Sequence, residues 1–242
     1  MPIGASSFPP LVWAVTLPAS VTSDRFQQCF ALLDDSEREC AAAFKLEPPR
    51  RQYVVAHALL RSVLSSVAPV PPRGWRFDRG AHGKPHVAGA AAEHGLSFSL
   101  SHTAGAVAVA VSGRDAIGVD VQAIDRAVNV QQFRTCLAAA EMAELNDLAP
   151  ERRRQHFYEL WAAKEAVAKA VGTGVSPAMA GIRIVTQDGR LRSTSDDDRY
   201  AGWHLTKWQL PVGTPCVAAT RETTAVKFRL YSLDSWLATV VT

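Results

Sequence analysis

Apolar positions change period along the chain, and those changes predict its elements. The run Leu11-Val12-Trp13-Ala14-Val15-Thr16-Leu17, stopped by Pro18, predicts a first strand. From about Asp24 to Phe44, Phe26, Phe30 and Leu33 recur at helical spacing. Asp34-Asp35-Ser36 interrupts them, predicting a second short helix capped at the break. Pro48-Pro49 introduces a stronger helix from Arg50 to Val67, with Tyr53, Ala56, Leu60 and Val63-Leu64 as its stripe. Pro69 to Gly74, Gly80 to Pro85 and Gly89 to Gly95 predict loops. From Leu96 the period becomes two. Phe98 and Leu100 alternate with serines, and Val107, Val109 and Val111 alternate with alanines. Ser112-Gly113-Arg114-Asp115 predicts a hairpin turn into a strand carrying Ile117, Val119 and Val121. Helical segments follow from about Val130 to Ala149 and from Glu151 to Val171. Strands are then predicted near Ile182 to Val185, Trp203 to Leu210, Val217 to Thr220 and Val226 to Tyr231. Helices plus mainly antiparallel strands in each half predict an α+β class, with two subdomains meeting near residue 115.

The length, 242 residues, accommodates two cores of this kind, and 48% hydrophobic positions exclude a mainly disordered chain. Lys plus Arg number 26 against 23 Asp plus Glu, a net charge of +3. That balance argues against a polyanionic polymer as partner, while local clusters such as Arg50-Arg51 remain able to hold phosphates. The four cysteines have no CxxC or zinc-ligand spacing, so reduced thiols are expected. No basic region precedes the apolar patch at Leu11 to Leu17, and no run approaches the ~20 residues of a membrane span. A soluble, cytoplasmic protein is expected.

Candidate chemistry lies in four stretches. In Ile117-Gly118-Val119-Asp120-Val121-Gln122 the β-branched residues share one face, which puts Gly118, Asp120 and Gln122 on the other. A solvated strand face explains Asp120 as well as a buried, partnered carboxylate does. Trp161, Glu165 and Lys169 stand four apart and form one helical ridge. Leu160, Val167 and Val171 lie roughly 120–160° away at about 100° per residue. A surface Glu–Lys pair accounts for two of the ridge residues, whereas Trp161 suggests a ridge facing a cleft. His82-Gly83-Lys84-Pro85-His86 reads either as a solvated loop or as a cationic turn. Ser99-Leu100-Ser101-His102-Thr103 ends a strand with three hydroxyls and an imidazole, without a G-x-S-x-G elbow, and suits an anion better than a serine triad.

In order, Gly83-Lys84-Pro85, Phe98-Ser99-Leu100-Ser101-His102-Thr103, Gly118-Val119-Asp120-Val121 and Trp161-x-x-Lys164-Glu165-Ala166-x-x-Lys169-x-x-Gly172 resemble the 4′-phosphopantetheinyl transferases. The likeness is to their larger, Sfp-type (surfactin-synthetase-activating) branch, and the Arg50 to Arg61 helix extends it upstream. The resemblance implies a monomer of two pseudo-symmetric α/β subdomains, 1–115 binding CoA phosphates and 116–242 carrying metal and catalysis. It implies transfer of the phosphopantetheine arm of coenzyme A to a serine of an apo acyl or peptidyl carrier protein, releasing 3′,5′-ADP. Asp120, Gln122 and Glu165 are the implied ligands of Mg²⁺, with Mn²⁺ as a substitute. Glu165 is the implied base, assisted by Asp120 and Lys169. Arg50, Arg51, Lys84, Pro85, Ser101, His102, Lys164 and Lys169 are the implied CoA contacts. Gln122 departs from the glutamate that many members carry there, removing one negative charge. The competing expectations are a non-catalytic CoA- or nucleotide-binding protein on the same scaffold and, less favoured, a nucleic-acid-binding module. Neither nucleic acid nor membrane is an expected partner.

Overall fold

A computed structural model describes residues 8–80, 82–113, 115–124 and 128–240. In chain order, β1 (Leu11–Thr16) leads to α1 (Ser23–Leu32), α2 (Asp35–Ala43) and the long α3 (Glu47–Val67). Strands β2 (Arg76–Arg79), β3 (Pro85–Ala88), β4 (Ser97–Thr103), β5 (Ala106–Ser112) and β6 (Ile117–Val121) follow. Then come α4 (Ala139–Asp147) and α5 (Pro150–Val171), strands β7 (Arg183–Gln187), β8 (Arg190–Thr194), β9 (His204–Gln209), β10 (Pro215–Thr220) and β11 (Lys227–Ser232), and α6 (Leu233–Val240).

Local chemistry sets several boundaries. Asp34 accepts the Glu37 amide while the Glu37 side chain accepts the Asp34 amide, a reciprocal cap that separates α2 from α1. Pro48 and Pro49 sit in the first turn of α3, where missing amides cost nothing. Gly172, at φ 88°, turns the chain out of α5 in a conformation that a side chain disfavours.

Two sheets organise the molecule. The first has the order β11-β1-β5-β4 and the second β6-β10-β9-β8-β7, while β2 and β3 form a separate ribbon. Every neighbouring pair is antiparallel except β1 with β11. The α+β class with mainly antiparallel sheets covered by helices is therefore the observed one. Helix α3 packs its Val55, Leu59 and Val63 side with α1 and α6 over the first sheet, and α5 covers the second. Between the sheets, Val12, Ala14, Ala108 and Ala110 meet Ile117, Val119, Cys216 and Ala218. The alternating alanines of β5 keep that layer thin.

Three sequence expectations change. The turn at Ser112 to Asp115 does not close a hairpin, because β5 and β6 belong to different sheets; Arg114 lies outside the described residues. Ribbon β2–β3 lies between the stretches expected as loops, where the sequence predicts no element, and β8 and α6 are likewise additions. Residues 227–240 return to complete the first sheet and its helical layer rather than staying with the second half. Among the described residues no helix is long and apolar enough to cross a membrane, and all four cysteines are free.

One buried charge cluster fixes the helical layer. Arg61, fully buried, donates to Glu37 at 2.6 Å, to Asp34 at 2.6 Å, and to the carbonyls of Pro72 and Trp75. Burial pushes the Glu37 pKa up, but hydrogen bonds from His57 and Arg61 outweigh it and leave the carboxyl below its ordinary value. Arg61→Ala is expected to cost about 3–5 kcal/mol, because two carboxylates lose their buried partner. A depressed carboxylate pKa contributes stability above its unfolded value, about 4.3, and loses it as pH falls through the folded value. Urea titrations across that acid range should show the Arg61→Ala deficit shrinking as pH falls; a deficit that stays constant or grows contradicts this assignment.

Candidate active site

Strand β6 explains how a carboxylate comes to be buried. Ile117, Val119 and Val121 fill the layer between the sheets, so Gly118 and Asp120 face α5. Gly118 lets the backbones touch: an added Cβ would lie 1.9 Å from the Ala166 carbonyl oxygen. Asp120 is consequently only 1% exposed.

Its partners converge from three elements. Lys169 of α5 reaches Asp120 Oδ1 at 2.5 Å, and Ser101 of β4 donates to the same oxygen at 2.8 Å. Gln122 donates its amide N–H to Oδ2 at 2.7 Å. Lys169 also lies 2.9 Å from Ser101 Oγ and 3.7 Å from Glu165 Oε2. Burial, followed by the charge of Asp120, pushes the Glu165 pKa up to about 7 against the pull of Lys169. Trp161 sits with Phe133 and Phe157 in the second core, and its indole favours ionised Glu165. The ridge read from the sequence thus has one end in the core and the other in a polar cleft.

The cleft comprises two cavities. One, of about 290 Å³, is lined by Lys84, Pro85, Phe98, His102, Lys169 and Gly172 among others. The other, of about 330 Å³, involves Glu37, Tyr53, His57, Arg76, Phe77 and Arg79. Pro85 and Leu100 line both. Partial desolvation and the charges of Lys169 and His57 lower the His102 pKa. His57 bonds Glu37 at 2.8 Å and stacks on Tyr53 at 4.1 Å between ring centroids. These second-cavity residues were missed in the sequence because Tyr53 read as helix core and β2 was not recognised.

A family model described as "4′-phosphopantetheinyl transferase, N-terminal" matches residues 20–114, and one described as "4′-phosphopantetheinyl transferase superfamily" matches residues 116–225. The chain belongs to the 4′-phosphopantetheinyl transferase superfamily. It is 29% identical over 161 residues to 4′-phosphopantetheinyl transferase HetI of Nostoc sp., covering 66% of this chain and 68% of that protein. Against 4′-phosphopantetheinyl transferase psf-1 of Bacillus pumilus it is 25% identical over 167 residues, covering 69% and 70%. A solved structure, holo-[acyl-carrier-protein] synthase (AcpS) of Thermotoga maritima, aligns at TM-score 0.35 and 21% identity, covering 43% of this chain and 61% of that one.

The superfamily likeness carried more residues to the cleft than the structure brings there. Lys164 is a correction. It is fully buried on the other side of α5, 2.6 Å from Glu141 and bonded to the carbonyls of Cys136 and Met179. Being adjacent to Glu165 on a helix, it points about 100° away, and it ties α5 to its neighbours instead of contacting a ligand in the cleft. Arg50 and Arg51 both pair with Glu47, Arg50 lies over Phe26, and neither lines the two cavities. Lys84 lines the first cavity, yet its ammonium caps α5 at the Ala170 carbonyl, 2.9 Å away, and approaches Ile117 O at 3.4 Å. Burial lowers its pKa to about 8. Pro85, His102 and Lys169 line the first cavity, and Lys169 links it to Ser101, Asp120 and Glu165, with Gln122 bonded to Asp120 behind them.

Proposed function

We propose that this chain transfers the 4′-phosphopantetheine arm of coenzyme A to a serine of an apo acyl or peptidyl carrier protein, in the manner of the Sfp-type branch, releasing 3′,5′-ADP. The observation that carries this reading is the cluster of Asp120, Glu165, Lys169 and Ser101, which meets the first cavity through Lys169, in a chain of this superfamily. The division of labour follows chain order. Residues 1–115 supply the cleft walls at Pro85 and His102, and 116–242 supply the carboxylates and Lys169, although 227–240 pack on the first sheet.

Divalent metal fits the donor chemistry. The buried Asp120 carboxylate and the half-buried Glu165 carboxylate both lie against Lys169, and ionisation of Glu165 is resisted by the charge of Asp120. Among the described residues no group of three His, Cys, Asp or Glu side chains gathers for a metal; the Gln122 side chain, bonded to Asp120 through its Nε2, is a neutral group that would offer a third oxygen. Asp120, Glu165 and Gln122 form a hard-oxygen set suited to Mg²⁺ or Mn²⁺, which supplies charge neutralisation on the pyrophosphate when bound.

The residues of the chain account for the remaining chemistry. Glu165 takes the proton of the carrier serine hydroxyl. That oxygen forms a bond to the phosphorus bearing the pantetheine arm, and the bond from this phosphorus to the bridging oxygen of 3′,5′-ADP breaks. Lys169 stabilises the charge left on the departing phosphate, while His102 and Pro85 hold the nucleotide portion against the cleft wall. Asp120 keeps Lys169 in place.

Incubation with CoA, Mg²⁺ and a panel of apo carrier proteins tests the reading by intact mass. A phosphopantetheine gain on at least one carrier, with 3′,5′-ADP in solution, is the expected result. CoA binding without any mass gain across the panel favours the non-catalytic alternative.

A further inference from the structure

Strand β6 is the edge of the second sheet and lies beside β4, the edge of the first, without backbone pairing between them. In a strand, alternate amides point to opposite sides. The Gln122 amide points to β10, where it meets the Pro215 carbonyl, and the amides of Val119, Val121 and Ala123 therefore point away from β10. Strand β6 is buried along its whole length, so water is not a ready partner for the Val119 and Val121 amides; Ala123, two residues beyond its end, is half-buried. The structure provides three hydroxyls in their place. Val119 N–H donates to Ser99 Oγ at 3.0 Å, Val121 N–H to Ser101 Oγ at 3.3 Å, and Ala123 N–H to Thr103 Oγ1 at 3.0 Å.

The geometry points to a hydroxyl ladder on β4 that sets the register of the two sheets, with Ser101 as a positioning residue for Asp120 and Lys169 rather than a ligand of the CoA phosphates. The three acceptors alternate along β4, the donors alternate along β6 and its extension to Ala123, and each pair is separated by 20 residues. A one-residue slip would turn the hydroxyls away from every amide at once. Ser101 is the rung that reaches the active site. Its hydroxyl donates to Asp120 Oδ1 and accepts from Val121 N–H and from Lys169 at 2.9 Å. One donor and two acceptor lone pairs are then all used, and Ser101 is 5% exposed. It has no capacity left for a phosphate oxygen.

The ladder stands on geometry alone, and the role of Ser101 in turnover rests on the transferase reading above. Amide exchange measured by NMR on the whole chain separates the two. In the unmodified protein, the Val119, Val121 and Ala123 amides should be protected like Gly118 and Asp120, which face β10. Free exchange at those three amides would overturn the ladder whether or not the protein is a transferase. Ser99→Ala, Ser101→Ala and Thr103→Ala should each speed exchange of their own partner amide at least ~10-fold. Each should also lower Tm by roughly 2–4 °C or more. Ser101→Thr, which keeps the hydroxyl, should restore protection at Val121; failure to do so in a folded variant counts against the bond. In the kinetic arm, Ser101→Ala should lower kcat for carrier modification at least ~10-fold and change KM for CoA less than ~3-fold. A raised KM for CoA with unchanged kcat would make Ser101 a CoA ligand and overturn its positioning role. Should the unmodified protein transfer nothing to any carrier, the functional reading fails and the exchange data still decide the ladder.

Discussion

Glu165→Ala should reduce carrier-protein modification by roughly 10²–10⁴-fold, the contribution expected of a positioned general base. The structural reason is specific. Glu165 is a poor surface residue: it lies beside buried Asp120, and both burial and that neighbouring charge raise its pKa to about 7. A carboxyl group held there at an energetic cost is more valuable for proton transfer than for solubility. Glu165→Gln keeps the volume and removes the charge, so both variants should fail in transfer if the carboxylate is what matters. CoA affinity should be partly retained in both, because His102, Pro85 and the second cavity are unaltered. Asp120→Ala should be similarly inactive, since it leaves Lys169 without its 2.5 Å partner. Intact-mass rates, calorimetric CoA titration and a melting curve for each variant separate chemistry from folding. Full transfer by folded Glu165→Ala protein would sink the proposed mechanism.

How far this site could be read from the chain depended on periodicity. Residues that share a face because of a fixed repeat were legible. The alternation along Ile117 to Gln122 put Asp120 opposite the β-branched residues, and the spacing of four put Glu165 and Lys169 on one ridge; both placements hold. What periodicity cannot supply is which element a face meets. The alternating β5 and β6 looked like a hairpin, yet the chain crosses between sheets at that point, because the alanine face of β5 is the inner wall of a sandwich. The same limit applies to Lys164. Its position inside a recognisable motif said nothing about the far side of α5, where Glu141 holds it.

The second cavity was illegible for a different reason. It is assembled from α2, α3 and the β2–β3 ribbon, and the ribbon is four residues per strand with polar positions such as Arg76, Asp78 and Arg79. Strands that short carry too little alternation to be distinguished from loop. The Asp34 break was legible as a helix cap, but its second task was not. Asp34 and Glu37 also neutralise Arg61, a contact made across 24 to 27 residues of sequence. Local chemistry was readable wherever both partners were local.

Gly118→Ala should impair this protein more than its single methyl group suggests. The added Cβ would sit 1.9 Å from the Ala166 carbonyl oxygen and 2.6 Å from the Ala170 nitrogen. Both are backbone atoms of α5, so no rotamer change relieves the clash and the strand and helix must move apart. Overpacking of a tight core costs about 1–3 kcal/mol. The functional loss should be larger in proportion. Asp120 sits two residues from Gly118 on β6, whereas Glu165 and Lys169 flank Ala166 and Ala170 on α5. Separating those backbones by an ångström stretches the contacts that Asp120 makes with Lys169 and Glu165, and a displacement of that size costs about 10²-fold in rate. Gly181→Ala is the matched control, since its nearest neighbour to a new Cβ is Ser195 Oγ at 3.7 Å. It should change stability by no more than about 0.5 kcal/mol. Melting curves and carrier-modification rates measured on both variants decide the matter. A Gly118→Ala protein with unaltered Tm and turnover would show that the close approach of β6 and α5 is not what holds the site together.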